Sequence, residues 1–292
     1  MKKSDIILGF LVGASAGALL GLLLAPDKGI KTRRKLYKKG ERVMKNVRSS
    51  VKDPFITVIC DNYSSRDDLE SSWGFSCLIQ HEGQNILFDT GGDGLVLAAN
   101  MAKLGIDPAS LDLLMISHQH WDHTGGIYYI LKEKRNLRIC LPHSFSARFK
   151  EDMKRYGAEV IDINEAREVI TGLHSTGDME ALIREQSALL KTQAGTVVIT
   201  GCAHPGIVHI AETAKRILPD DALALVMGGF HLLDNADEDI LKIIARFREL
   251  GVRYAAASHC SGPNARELFA RKYGEHFIRL GAGSTIALED LR

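Results

Sequence analysis

One short segment, LMISHQHWDHTGG at positions 114–126, limits what this chain can fold into more than any other. It places three histidines and an aspartate directly after an apolar run and directly before two glycines. The apolar run predicts a buried strand, so the polar cluster lies where a strand gives way to a loop. Imidazole and carboxylate side chains crowded at one strand end are typical of a catalytic metal site.

The spacing within this segment lets its side chains face two neighbouring ions, although the segment on its own could support one metal. Alternate side chains of an extended chain share a face, so His118 and His120 point the same way and can hold one ion together. Asp122 and His123 follow in a predicted turn before a helix, so they face a second ion close by. Structural zinc sites are closed by four ligands, often cysteines, whereas histidine and carboxylate sets leave a place for water.

Further histidines stand at the ends of later apolar strands. VVITGCAHPG contains His204, LALVMGGFHL contains His231 and YAAASHCSG contains His259. A lone histidine at such a position is usually an ordinary core or loop residue, but here a ligand cluster already exists. His204 and His259 are therefore candidate metal ligands, while His231 stays open between a ligand and a loop residue.

Asp89 in ILFDTGG ends another predicted strand. Its carboxylate is expected to orient a metal-bound histidine through a hydrogen bond rather than to bind the ion directly. The alternative is that Asp-Thr-Gly only forms a turn. An aspartic-protease site is excluded, because that chemistry needs two such carboxylates and the sequence holds a single Asp-Thr-Gly.

The order of predicted elements indicates an α/β fold. After Pro54 the strands first follow one another as a hairpin meander, and later strands alternate with helices. That order favours sheets packed on each other with helices outside. The stretch 143–177 is the least regular, and it is predicted to be an insertion that helps to wall a pocket.

Charge is unevenly divided along the 292 residues. The first 52 residues carry 13 Lys and Arg against 3 Asp and Glu, which leaves 24 against 33 for the remainder. The mildly acidic body argues against nucleic acid as a partner. The five cysteines are scattered without a C-x-x-C pair, so no disulfide framework or zinc knuckle is indicated, and free thiols fit a reducing cytosolic body.

The N-terminal arm predicts a membrane anchor. Ile6–Ala25 is uncharged and long enough to cross a bilayer as a helix, and the basic stretch after Pro26 places the following domain in the cytoplasm. We therefore expect an anchor and basic arm over residues 1–52 and one domain over residues 53–292. A cleaved signal peptide and a buried hairpin of a cytoplasmic protein are the alternatives.

Small residues recur four apart within this apolar run. On a helix they form a flat stripe that a second helix can approach closely, which predicts self-association through the anchor. The stripe consists of Gly9, Gly13, Gly17 and Gly21. GFLVGASAGALLGLLLAP and the following TRRKLYKK also resemble the small YtxH-like glycine-zipper proteins.

HQHWDHTGG resembles the H-x-H-x-D-H motif of the metallo-beta-lactamase superfamily, and FDTG, GCAHPG and SHCSG resemble its other elements. The resemblance spans about residues 55–288 and implies a four-layer αββα sandwich with a metal pair at one edge. The implied ligands are His118, His120 and His204 for the first metal, and Asp122, His123 and His259 for the second.

GCAHPGI, GGFHL and SHCSG further resemble the branch named for dihydropterin ribofuranosylaminobenzene phosphate synthase, a methanopterin-pathway transferase. One departure stands out: the strand that delivers a metal-bridging aspartate in the wider superfamily ends here in GGFHL. Either His231 or a water is then expected to bridge the ions. The ligand types accept two divalent transition metals, zinc first, with iron or manganese as alternatives.

These features predict a metal-dependent hydrolase or transferase of a small phosphorylated or pterin-like molecule. Asp122 and Asp89 are the acids expected to take part in catalysis. Two other functions stay open: a membrane-tethered metabolite sensor with little turnover, and an iron-based redox protein, for which the chain has no flavin or rubredoxin-like domain.

Overall fold

The computed structural model describes residues 55–291, which form two β-sheets and seven α-helices. The strands are β1 (Phe55–Cys60), β2 (Ser76–His81), β3 (Gln84–Phe88), β4 (Leu113–Met115), β5 (Arg138–Pro142), β6 (Glu159–Ile163), β7 (Arg167–Ile170), β8 (Leu173–Ser175), β9 (Ala188–Thr192), β10 (Gly195–Thr200), β11 (Leu223–Gly229), β12 (Tyr254–Ser258) and β13 (Thr285–Ala287). The helices are α1 (Gly94–Lys103), α2 (Trp121–Thr124), α3 (Ile127–Glu133), α4 (Ala147–Arg155), α5 (Ile207–Ile217), α6 (Asp237–Glu249) and α7 (Gly262–Tyr273).

Each sheet combines antiparallel and parallel strands. The first has the order β13-β1-β2-β3-β4-β5-β6, and the second has the order β12-β11-β10-β9-β8-β7. Strands β1 to β3 form the predicted antiparallel meander, while β3 to β6 and β10 to β12 run parallel. Parallel neighbours need a crossover connection, which explains why helices appear in the sequence where the parallel strands begin.

The two sheets share one apolar core. Ile79 and Met115 from the first sheet and Leu190 and Met227 from the second belong to the same buried cluster. Alternate strand residues point to opposite faces, so the other residues of each strand are free to pack against helices. The sheets are therefore packed against each other in the interior.

Helices cover the outer face of each sheet. Leu97 of α1 and Ile130 of α3 pack with one cluster on the first sheet, and Ile210 of α5 and Phe247 of α6 pack with another on the second. The layers are thus helix, sheet, sheet and helix. The predicted mixed α/β fold with two packed sheets is confirmed for the described residues.

Strand register gathers the carboxyl ends of the parallel strands. Phe88 of β3 lies opposite Met115 of β4, and Gly229 of β11 lies opposite Ser258 of β12. The residues that follow these strands therefore leave each sheet at one level. In open α/β sheets this edge is where binding sites form.

The stretch 143–177 is not an irregular insertion, so that prediction is wrong. It contains α4, whose first turn is capped by the Ser146 hydroxyl accepting from the Phe149 amide at 3.2 Å, and the strands β6, β7 and β8. In α4 Met153 is buried and Phe149 packs partly buried against the same cluster, but one apolar pair among charged residues is a weak signal for a helix.

Among residues 55–291, no helix combines the length and the apolar composition needed to cross a membrane. The predicted spanning segment Ile6–Ala25 lies outside the described residues, as does the rest of the arm. The anchor, its glycine stripe and the domain boundary at residue 53 stay predictions.

Candidate metal centre

The histidines at the strand ends meet at one place. The imidazole centroids of His118 and His204, from different sheets, lie 4.8 Å apart, and those of His118 and His123 lie 4.3 Å apart. His259 lies 5.1 Å from His123, and His120 lies 4.7 Å from His118 by the same measure. The structure therefore brings the predicted ligands of both sheets together at one edge of the sandwich.

Asp122 and His123 lie in the short helix α2 rather than in an open turn. The backbone amides of His123 and Thr124 donate to the His120 carbonyl at 3.1 and 3.2 Å, which winds the chain into α2 a few residues after β4 ends at Met115. The winding brings His123 beside His118, with the two ring centroids 4.3 Å apart.

Asp89 fixes the orientation of His123. Its Oδ2 lies 2.7 Å from His123 Nδ1 and accepts from the Ser117 hydroxyl at 2.7 Å, while its Oδ1 accepts from the Ser117 amide at 2.7 Å. The expected hydrogen bond between Asp89 and a candidate ligand is therefore present. With Nδ1 held by Asp89, the Nε2 atom of His123 faces the centre, 3.2 Å from the Cys202 sulfur.

These contacts set the charge of His123. Burial lowers its pKa, but the carboxylates of Asp89 and Asp122 outweigh burial and raise the pKa to about 9. Without a metal the ring is thus a cation that can donate from both nitrogens. A metal ion at Nε2 would have to displace that proton.

Three other imidazoles have unused nitrogen atoms. The Nε2 atoms of His118, His204 and His259 are buried and make no hydrogen bond. Burial lowers the pKa of His118 well below 6.5, and burial together with the neighbouring His231 lowers the pKa of His204 to about 4. The His118 and His204 rings are therefore neutral near pH 7 and offer a free lone pair, which is the state that binds a metal ion.

Asp122 is oriented by groups on both sides. Its Oδ2 accepts from the Trp73 indole N–H at 2.9 Å and lies 3.3 Å from His259 Nε2. Burial raises the pKa of this carboxyl, yet His259 and His123 overcome that effect and hold the pKa below its usual range. Asp122 is therefore a carboxylate at neutral pH.

Glu185 is a buried part of the centre that nothing in the sequence marks. Its Oε1 accepts from the amides of Gly201, Cys202 and Ala203 at 3.0 to 3.1 Å, and its Oε2 accepts from the His204 amide at 2.9 Å. Burial raises its pKa. One side chain thus fixes the backbone of the loop that carries His204.

Asn62 holds His259 in the same manner. Its Oδ1 lies 2.9 Å from His259 Nδ1, and its side-chain amide donates to the His259 carbonyl at 3.3 Å. The Nε2 atom of His259 is thereby directed into the site. Glu185 and Asn62 are both far in sequence from the residues that they hold, so no local motif reveals them.

Cys202 is the third residue that the sequence does not mark. Its buried sulfur belongs to three groups of candidate ligand atoms, and within each group the atoms lie within 4.8 Å of one another. The groups are Asp122, His123, Cys202 and His259; His118, Cys202 and His204; and Cys202, His231 and Cys260. The first group contains the predicted set of Asp122, His123 and His259 with Cys202 added. The second contains His118 and His204 with Cys202 but without the predicted His120, whose ring centroid lies 4.9 Å from that of His204.

Backbone strain concentrates at this edge. Asp89, Ala203, His231 and His259 all have positive φ, between 48° and 60°, although none is glycine. Left-handed conformations of such residues cost about 1–3 kcal/mol each and are found mainly at functional sites. Each of these residues directly follows or lies close to a strand end that faces the centre.

A family model described as the metallo-beta-lactamase superfamily matches residues 74–241, more than half of the chain. This chain belongs to the metallo-beta-lactamase superfamily. A second model, described as YtxH-like protein, matches residues 7–58, which is the arm that resembles such proteins.

Two relatives of this metallo-beta-lactamase chain cover most of its length. It is 29% identical over 264 residues to 7,8-dihydropterin-6-methyl-4-(beta-D-ribofuranosyl)-aminobenzene-5'-phosphate synthase of Methanocaldococcus jannaschii, with 74% of this chain and 90% of the relative covered. It is 30% identical to Tm1679, a metal-dependent hydrolase of the beta-lactamase superfamily, with a TM-score of 0.67 and coverage of 80% and 98%. The chain is thus an enzyme of the metallo-beta-lactamase fold.

A more distant structure agrees with the fold. The metallo-beta-lactamase fold protein YhfI of Bacillus subtilis has 15% identity and a TM-score of 0.60, with 80% of this chain and 99% of YhfI covered.

The residues fit the divalent metal ions that this fold uses. Neutral imidazoles with free Nε2 atoms and an ionised carboxylate converge with a thiol, and these are the ligand types of zinc. The fit rests on the described side chains and leaves the identity of the metal open.

Proposed function

We propose that this chain is a hydrolase or transferase that acts on a small phosphorylated or pterin-like molecule through two divalent metal ions. One observation carries the proposal: two groups of ligand atoms share a centre where three imidazole nitrogens are buried without a hydrogen-bond partner. A buried polar atom without a hydrogen-bond partner lowers the stability of the fold, so a site that contains several of them is expected to bind a ligand. Zinc is the first choice of metal.

When bound, such ions activate a water and stabilise negative charge on the attacked group and the leaving oxygen. The protein's own residues orient the candidate ligands and set their charge. Asp89 keeps His123 in one orientation, His259 and His123 keep Asp122 ionised, and the Trp73 indole holds the Asp122 carboxylate in place by a hydrogen bond. Asp89 is thus a positioning residue, whereas Asp122 faces the reacting centre.

A planar ring in the substrate is favoured by Trp73. Its indole donates to Asp122 and lies 5.4 Å from the His259 ring, yet 46% of the residue stays exposed. An exposed aromatic face beside a metal centre offers a stacking surface for a pterin-like ring. The relative named as a dihydropterin synthase supports the same substrate class.

The test measures turnover with defined phosphate substrates. Zinc-loaded protein is incubated with bis(4-nitrophenyl) phosphate, with pyrophosphate and with a dihydropterin diphosphate, and product is followed over time. We expect turnover with at least one substrate, and a loss of more than roughly a hundredfold in kcat/KM for His118→Ala.

The matched control is His209→Ala, since His209 is exposed on α5 and belongs to none of the groups of candidate ligand atoms. This variant should keep wild-type kcat/KM. Metal-loaded protein that turns over none of the three substrates, or a His118→Ala variant as active as the control, contradicts the proposal.

A further inference from the structure

The sequence predicts that either His231 or a water bridges the two ions, and His231 does not lie between the two ligand groups. His231 is exposed, and its ligand atom groups with Cys202 and Cys260 rather than with either of the two histidine sets. Its ring lies 4.5 Å from that of His204, on one side of the centre. His231 is therefore badly placed to join both ions.

Cys202 does occupy that place. Among residues 55–291, its sulfur is the ligand atom common to the group of Asp122, His123 and His259 and to the group of His118 and His204. The residue is 3% exposed, and the sulfur lies 3.2 Å from His123 Nε2.

The backbone holds Cys202 in this position. Glu185 accepts from the Cys202 amide at 3.0 Å, and Gly201 lies against Ser117 and Asp89 so closely that a Cβ there would overlap the Ser117 hydroxyl. The loop therefore has little freedom to carry the sulfur elsewhere. A side chain fixed from behind is what an effective ligand requires.

We propose that the thiolate of Cys202 is the ligand shared by both metal ions, in the place where an aspartate is otherwise expected. The inference rests on the proposed two-metal function and names one more ligand of the same centre. A coordinating thiol is deprotonated outright, so the Cys202 proton passes to solvent when the ions bind and the sulfur lone pairs form the two bonds. Cys260, whose sulfur lies 3.7 Å from the Cys202 carbonyl oxygen, stays outside the metal shell.

The experiment uses cadmium, whose nuclear magnetic resonance shift moves strongly downfield with each thiolate ligand. Full-length protein is loaded with two equivalents of ¹¹³Cd, and the resonances are recorded for the wild type and for Cys202→Ser. We expect two wild-type resonances, both in the thiolate range, and both move upfield in the variant. The second cadmium ion should bind at least about tenfold more weakly to the variant.

Two controls separate the cysteines. Cys260→Ser should leave both resonances in the thiolate range, and so should Cys140→Ala, which alters a core cysteine of β5. If Cys202→Ser does not fold, X-ray absorption of wild type and Cys260→Ser still decides: a shared sulfur gives about one sulfur per cadmium, and a terminal one gives about half.

Several results would overturn the bridge. If only one resonance moves in Cys202→Ser, the sulfur binds a single ion. If neither resonance moves, the Cys202 sulfur is not a ligand. If the resonances move in Cys260→Ser instead, the thiolate ligand is Cys260 and not Cys202. Wild-type protein that binds no cadmium contradicts the proposed two-metal function as well. Wild-type protein that binds two ions without a thiolate shift contradicts the bridge alone.

Discussion

At the residue scale, His123 and Asp89 form the pair in which charge and burial oppose each other most directly. Both are fully buried, and the 2.7 Å contact between them stabilises the protonated ring in the absence of a metal. The pKa values of the neighbouring His118 and His204 shift in the opposite direction, since burial and then the surrounding imidazoles lower them. One centre therefore contains imidazoles that titrate on opposite sides of neutrality.

This opposition predicts a stability maximum near pH 6.5 for metal-free protein. The folded pKa of His123 is about 9, above the unfolded 6.5, so its stabilisation is full below pH 6.5 and is lost as the pH rises through 9. The folded pKa of His204 is about 4, so its contribution is present above pH 6.5 and is lost as the pH falls through 4. Denaturant unfolding in the presence of a chelator, repeated across this pH range, measures the loss of unfolding free energy on the acid and on the alkaline side.

The loss of stability at alkaline pH is expected to depend on the contact between Asp89 and His123. Between pH 6.5 and 9 the wild type should lose about 3 kcal/mol of unfolding free energy, whereas Asp89→Asn, itself less stable, should show a flatter limb. Wild-type stability that rises across this interval would contradict the assignment.

Glu185 gives a second prediction at this scale. Glu185→Gln keeps the shape of the side chain but replaces one accepting oxygen by an amide, so the loop from Gly201 to His204 loses part of its support. We expect a cost of about 1–3 kcal/mol in unfolding free energy and metal binding weaker by roughly 10- to 100-fold. Chelator competition measures the second effect.

The matched substitution is Glu180→Gln, which changes an exposed glutamate in the same part of the chain. It should leave metal affinity at the wild-type level. Equal affinities in the two variants would show that the buried carboxylate does not support the centre.

At the scale of elements, the centre depends on close contact between the ends of β4 and β10. A Cβ at Gly201 would overlap the Ser117 hydroxyl and lie 2.9 Å from Asp89 Oδ2. Gly201 and Ser117 follow strands of different sheets, so a side chain added at Gly201 would push the two halves of the site apart.

Gly201→Ala should therefore destabilise the fold by about 1–3 kcal/mol and weaken metal binding. Gly94→Ala is the comparison, because a Cβ there meets its nearest neighbours at 3.5 Å, an ordinary contact distance. Thermal unfolding and metal titration of both variants check the prediction. Unchanged metal affinity in Gly201→Ala would mean that the strand ends can separate without loss.

The helices and strands also show which parts of the fold local sequence patterns predict and which parts they do not. Local sequence patterns predict the strands and the long helices, because apolar periodicity depends on residues that are close in sequence. The same patterns predict that the histidines at the strand ends, His118 to His123, His204 and His259, cluster together. Helix α4 is not predicted because Phe149 and Met153 are the apolar pair of an otherwise charged segment, which is a weak signal for a helix. Glu185, Asn62 and Cys202 gain their positions from contacts with distant segments, which spacing along the chain does not encode.

At the scale of the whole molecule, the described residues account for the centre without the N-terminal arm. Among residues 55–291, every candidate ligand lies between His118 and Cys260, and the three apolar clusters are built within the same residues. The arm is thus expected to set location rather than chemistry.

A chain that begins at Asp53 should therefore bind zinc as tightly as the full chain and unfold at a similar temperature. The full chain should sediment with membranes through Ile6–Ala25, whereas the shortened chain stays in the supernatant. Sedimentation and zinc titration of both chains check this. A full chain that also stays in the supernatant contradicts the predicted anchor.

The central claim is that this metallo-beta-lactamase fold holds two metal ions at one edge of its sheets. Anomalous X-ray diffraction from crystals of the zinc-loaded protein, recorded on both sides of the zinc absorption edge, tests it most directly. We predict two anomalous peaks per chain, one among Asp122, His123 and His259 and the other beside His118 and His204, with Cys202 next to both. A single peak, or none at this edge in zinc-saturated crystals, would contradict the claim.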